Sequence, residues 1–566
     1  MKQLGSNLGL KASGGLALAL ALVSACTAGG DHSSSPGPNQ AGSAGSSAGG
    51  SSSSGGGAGP SIQVGMLTQT CSASQLGRPL LRRLTAGELK RTLEDIFPEV
   101  QGQWSVAISE SKSSLGFYND PAILSGGGQV AEKLLDTADA LATALTAEAV
   151  LPKVLPCSAT TPDRACAQTF LTTYGRRLFR RALTQAEQDN YLAFFDAQLQ
   201  PLGFRGAMRW LLVGLIQSPN ALYRREIGAH NGDTYQLSQQ EIATELAYTF
   251  TGSTPTPELL AQADQGMLQT PEQLTAAATA LMGTPAGNKQ LHSFFESWLS
   301  YLEVPPTRPN IADYAAVAPD LLQETHAFIE EVIVNGRGGY KELLTAPFTT
   351  PSAKLASFYG FPAPAADYAK VDRPAGRGKG VLAQGSVLVA HSHEASSSPT
   401  LRGLLVFERL LCGTRPQVPP NVPTLSAPSP GVKTTRQRYE EQHMAAGSAC
   451  PTCHKQFDPL GFAFEHYDEA GRYRADEAGL PIDSSGAVSD DGQQAFTFTD
   501  EDDLATNLAA LEKVGKCASG YLSVYAYANA VPCLAETRRP EFIAGTLGYV
   551  DYLASLAAEP TFTKRQ

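Results

Sequence analysis

Long hydrophobic runs are missing from this sequence: no stretch reaches the ~18 consecutive apolar residues that a membrane-spanning helix needs. Cationic charge is also in short supply. Lys and Arg number 43 against 54 Asp and Glu, leaving a formal net charge of −11. Without clustered cations to displace phosphate counterions, general nucleic-acid binding is excluded. Alternating β patterns are scarce; Phe496-Thr497-Phe498-Thr499 and residues 380–389 are the better strand candidates. No repeat of fixed 20–50-residue period is visible, which argues against a solenoid. Familiar catalytic strings fail as well. Gly376-Arg377-Gly378-Lys379-Gly380 has glycine where a phosphate loop needs Ser or Thr, and is expected to be an ordinary loop. His391-Ser392-His393-Glu394 lacks the second histidine of a zinc-protease helix, and there is no Gly-x-Ser-x-Gly elbow. No catalytic residue is therefore named, and whether the chain is an enzyme is left open.

What is present is 566 residues with 42% hydrophobic content, enough for several buried cores and three to five domains. The start looks like an address and a tether. Lys2 and Lys11 precede a short apolar run, residues 16–23, followed by Val23-Ser24-Ala25-Cys26. That string resembles the lipobox of bacterial lipoproteins, which implies a signal peptide over 1–25 and acylation of Cys26. An ordinary secretory signal is the alternative. In lipoproteins, a residue such as Thr27 rather than Asp after the cysteine implies sorting to the outer membrane, facing the periplasm or the cell surface. Residues 26–65 are mainly Gly, Ser, Ala and Pro, a flexible tether. The expected membrane link is this lipid anchor alone.

Helix signals dominate the rest. Thr85 with Glu88, Thr184 with Glu187 and Ser238 with Glu241 each read as a capping box ahead of an amphipathic run. Thr270-Pro271 reads as a cap with proline at the first helical position. Phe294, Phe295, Trp298 and Leu302 recur at helical spacing and are expected to face a core. The fold expected is mainly α, several helical modules in series. The modules span 66–156, 157–230, 231–366, 367–488 and 489–566, and residues 416–430 form a proline-rich connector.

Export would place the cysteines in an oxidising compartment. Setting aside Cys26 and the pair at 450 and 453, six remain: Cys71, Cys157, Cys166, Cys412, Cys517 and Cys533. Six allow 15 connectivities. Cys157 and Cys166, flanking a Pro-containing loop, are the best pair. Cys517 and Cys533 would lie roughly 24 Å apart on one straight helix, so they pair only if the chain turns back near Pro532.

The one sharp motif is Cys450-Pro451-Thr452-Cys453-His454, the attachment pattern of haem c. Two thiols add across the vinyl groups, and the adjacent imidazole is placed to ligate the iron proximally. Met444 is the last methionine, so the downstream methionine that many small cytochromes use is absent. Candidate distal ligands are His443, His466, His391, His393 and Met444, or the position is open. Two other readings stay open: a redox or structural disulfide between Cys450 and Cys453, and a zinc site of His443, Cys450, Cys453 and His466.

The surroundings extend the pattern. The run from Cys453 through Asp458-Pro459-Leu460-Gly461-Phe462, Glu465, Asp468 and Gly471-Arg472-Tyr473-Arg474 to Gly486 resembles planctomycete-type cytochrome-like proteins. So do the stretches from Arg83 to Asp95, Arg176 to Thr184, Gln217 to Arg224 and Leu237 to Phe250. Ser392-His393 with Ser398-Pro399 and Arg402-Gly403, and the Tyr525-Ala526-Tyr527 region, fit as well. These are large exported bacterial proteins, built from mostly uncharacterised domains. The likeness covers roughly residues 78–545; Phe457 stands where methionine is common, and Asn529-Ala530 departs from the usual ending. The resemblance strengthens haem c as cofactor and supplies no substrate. Asp458-Pro459 is expected to turn the chain, and Gly461 to permit a close approach. Phe462 and Phe464 would wall a haem face, and Arg472 and Arg474 would pair either propionates or protein acids.

The function expected is an exported, lipid-anchored c-type cytochrome-like protein transferring electrons to a protein redox partner or envelope complex. The alternatives are a surface scaffold with structural zinc or disulfide, and a haem enzyme with an open axial position.

Overall fold

The computed structural model describes residues 64–69, 75–124, 127–416, 431–444, 450–490, 493–528 and 536–566. The expected signal peptide over 1–25, Cys26, nearly all of the tether, Cys71, Cys533, Asn529-Ala530 and nearly all of the proline-rich connector lie outside the described residues. The chain forms two compact units. One comprises Arg82–Ser109 and Leu124–Arg225; the other comprises the described residues up to Leu81, Glu110–Ile123 and Glu226–Gln566. Both are mainly helical, and strands are few and short. Among the described residues no helix is long and apolar enough to cross a membrane.

In the first unit, α1 (Ala86–Ile96) begins at the expected capping box, with Thr85 Oγ1 accepting from Glu88 N–H and the Glu88 carboxylate accepting from Thr85 N–H. Helix α2 is Gly128–Leu145 and α3 is Gln185–Ile216, the latter broken after Pro201 where Gly203 takes φ +66°. Thr184 and Glu187 cap α3 as read from the sequence. Cys157 and Cys166 are joined, with Cα atoms 5.7 Å apart. Arg180, itself left-handed, donates to the carbonyls of Asn220, Ala221 and Tyr223 and so ties two resemblance stretches together.

The second unit holds α4 (Gln239–Thr251), α5 (Pro271–Met282), α6 (Pro285–Leu299) and α7 (Tyr314–Ile329). Ser238 caps α4 through its expected box, and Thr270 caps α5 ahead of Pro271 as expected, with Gln273 completing a box the sequence reading did not include. Phe294, Phe295 and Trp298 of α6 are buried in one large core, and the Trp298 indole N–H donates to Arg409 O. Leu302 departs from that stripe. The helix stops at Leu299, Ser300 turns left-handed, and Leu302 is 43% exposed.

The strand expected over 380–389 is instead a 3-10 turn, Val381–Ala383, followed by helix α8, Gly385–Ala390. The run is buried on every side, so its apolar residues carry no period to separate strand from helix. Its polar members are satisfied locally: Ser386 Oγ lies 2.7 Å from Thr325 Oγ1, and the Gln384 amide donates to Gly380 O. Next come α9 (Pro399–Leu405), α10 (Thr435–His443), the single turn α11 (Pro451–His454) and α12 (Asp458–Phe462). The other expected strand is present as β2 (Gln493–Phe498), antiparallel to β1 (Gly486–Asp490). Helices α13 (Glu501–Ala510) and α14 (Glu512–Tyr527) follow. A second disulfide, Cys412–Cys517, closes 105 residues of this unit. It occupies the thiol that sequence reasoning weighed against Cys533.

Candidate functional site

The site is assembled around α9 and α12, which approach closely because each carries a glycine at the crossing. A Cβ on Gly461 would stand 1.8 Å from Pro399 O, and one on Gly403 1.9 Å from Phe457 O. This is the close approach expected of Gly461. The result seats Asp458, the first residue of α12, at the centre of the group, with no exposed surface.

Three side chains donate to the Asp458 carboxylate. His443 Nδ1, at the end of α10, lies 2.6 Å from Oδ2. His454 Nδ1, at the end of α11, lies 3.1 Å from Oδ2 and 3.2 Å from Oδ1. Thr400 Oγ1, from α9, donates to Oδ1 at 2.7 Å. The two imidazole rings lie against each other with centroids 3.8 Å apart and planes 35° apart. Tyr439 stands edge-on to His443 at 4.8 Å, and Phe457 lies 5.2 Å from His454. Burial works to raise the Asp458 carboxyl, but the hydrogen bonds from His443, His454 and Thr400 outweigh it and hold it below the usual range.

Cys450 opens α11 and Cys453 lies within it, so both thiols sit on one turn immediately before His454. Both are free and partly buried, whereas the other four described cysteines are bonded. The donor set therefore fits a covalently attached haem: two available thiols, and an adjacent imidazole whose Nδ1 is engaged and whose Nε2 is left to a metal.

The remaining candidates are distributed. His466 Nδ1 donates to Arg474 O and its ring stacks on Tyr473, so it does not join His443. His393 Nε2 is 3.5 Å from the Tyr439 hydroxyl. His391 Nδ1 bonds Val387 O, and burial pushes this imidazole down to about 4. Met444 caps the end of α10 beside His443. The zinc quartet of His443, Cys450, Cys453 and His466 is thus not brought together. Among the described residues, the set whose ligand atoms converge within 4.8 Å is His443, His454 and Asp458.

The flanking arginines are engaged by protein. Arg472 pairs with Asp468 at 2.9 Å, and Arg474 with Glu465 at 3.0 Å. Phe462 and Phe464 are core residues, the former beneath the Arg436 guanidinium. Arg402, fully buried, donates to the carbonyls of Phe464, Tyr467 and Asp468 and to Ser392 Oγ; burial pushes it down to about 10. Sequence reasoning gave Asp458 only a turning role and passed over Thr400. The available signal was the acid four residues after His454, which a helical path returns to the same face.

Three family models match the chain. Residues 166–226 match PSD5, 237–361 match PSD4, and 378–477 match PSCyt3; these are described as proteins of unknown function DUF1595, DUF1592 and DUF1588 respectively. The last stretch carries Thr400, His443, Cys450, Cys453, His454 and Asp458. No curated protein and no solved structure matches the chain.

Proposed function

Starting from a chain of the planctomycete cytochrome-like multidomain kind, we propose an exported, lipid-anchored electron-transfer protein with one haem covalently held by Cys450 and Cys453. His454 is the proximal ligand in this reading, Cys26 the acylated residue, and the counterpart a protein redox partner at the envelope. The observation that carries it is the contrast among the described cysteines: four are paired, while the two of the Cys-x-x-Cys-His turn keep free thiols. Once attached, the haem supplies a one-electron iron couple. The chain's own residues do the rest: the thiols fix the group, and His454 orients toward the metal with its far nitrogen anchored on Asp458.

The test is a denaturing gel stained for haem peroxidase activity, using the full chain exported in a host with cytochrome c maturation machinery. Haem that survives denaturation in the wild type and vanishes in Cys453→Ser is the expected result. A bare protein, in cells where a control cytochrome matures, overturns the reading. In the same cells, Cys26→Ala is expected to move the protein from the membrane fraction to the soluble one.

A further inference from the structure

We propose that Asp458 is the positioning residue of this site and that His443 serves it as a second donor, not as the ligand across the iron; the inference rests on the haem reading. A carboxylate accepts hydrogen bonds and has none to give. Both His443 and His454 meet Asp458 through Nδ1, so each presents an Nδ1–H to the carboxylate and neither uses Nε2 there. With both Nδ1 atoms on one carboxylate and the ring planes 35° apart, the two imidazoles stand side by side against Asp458. Imidazoles on opposite faces of one metal are different. With metal–nitrogen bonds of ~2 Å, their ring centroids stand roughly 6 Å apart. The observed 3.8 Å places His443 beside the proximal ligand.

The pairing also accounts for the buried carboxylate. Asp458 has no exposed surface, and its partners are Thr400 and the two imidazoles. His443 takes Oδ2 in the shortest of these contacts, which supplies a strong donor to the anion and holds it against His454. Thr400 fixes Oδ1 from the neighbouring helix. An anion behind the Nδ1–H of a ligand imidazole raises the basicity of Nε2 and stabilises the oxidised metal. Asp458→Asn keeps the shape and an acceptor oxygen while removing the charge.

The experiment compares the full chain as wild type, Asp458→Asn, Asp458→Glu and His443→Ala, by redox titration and visible spectra of the haem-bearing protein. In parallel, nitrogen-15 NMR of histidine-labelled protein made without haem reads the imidazole tautomers. Expected are a higher reduction potential in Asp458→Asn, partial return toward the wild type in Asp458→Glu, and axial-ligand bands unchanged in His443→Ala. An unmoved potential in Asp458→Asn overturns the proposal, as does loss of the low-spin bands in His443→Ala. If the wild type carries no haem, the haem reading has failed, and the tautomers decide this inference separately. Nδ1–H forms at His443 and His454 that become mixed in Asp458→Asn support it, and unchanged tautomers overturn it.

Discussion

Glu501 begins α13 inside the protein, with Oε2 accepting the Lys379 N–H at 2.8 Å. Burial, reinforced by the neighbouring Asp502, pushes its carboxyl up to about 8. A raised acid binds its proton more tightly when folded. Its stabilising share is therefore complete below the ordinary value near 4.5 and lost as pH rises toward 8. Glu501→Gln should flatten that loss and raise the thermal midpoint above pH 8, as read by melting curves from pH 4 to 9. His292 shifts the other way. Burial, and then the stacked His326, lower it to about 4, and the rings lie 4.2 Å apart between α6 and α7. A depressed base is neutral when folded, so stability present above pH 6.5 is lost as pH falls toward 4. His292→Gln should make the acid limb of the same curves shallower.

Between α9 and α12 the packing leaves no room for a methyl group. Gly461→Ala and Gly403→Ala each place a Cβ within 1.9 Å of a carbonyl oxygen on the opposing helix, so the helices must part. Overpacking of this kind costs about 1–3 kcal/mol. Urea unfolding should show that loss, while a simple cap deletion, Ser238→Ala, should cost about 1 kcal/mol. These two examples also mark what the sequence makes legible. Capping boxes are local, so Thr85, Thr184 and Ser238 announce their helices from three-residue spacing alone. Gly461 shows in the sequence only as a glycine that allows a close approach; the partner it approaches, Pro399, lies on another helix. The helix at Gly385–Ala390 is not legible locally, because its apolar residues are enclosed by other elements and show no polar face. Asp458 was only half visible. Its link to His454 is four residues long, whereas Thr400 lies 58 residues before it and His443 arrives from a separate helix. Neither of those contacts leaves a spacing to read.

At the scale of the molecule, the covalent links follow the same division. Cys157 and Cys166 are nine residues apart and short loops advertise themselves; Cys412 and Cys517 are 105 apart, among 15 conceivable arrangements of six cysteines. Replacing both Cys412 and Cys517 by Ala should lower stability by about 2–5 kcal/mol in denaturant melts, since the bond restricts a loop of this size in the unfolded chain. A thiol count on the folded protein made without haem should still find Cys450 and Cys453 reactive, and haem attachment should remove both from the count. The bond has a mechanical consequence as well. Tension applied to the two ends of the chain passes through the sulfurs from Cys412 to Cys517 and bypasses everything between, including α10, α11 and α12. Roughly 350 Å of contour is thereby withheld from extension. Stretched one molecule at a time, the oxidised protein should fall short of the reduced one by about that length, and the histidine pair should ride out the pull slack.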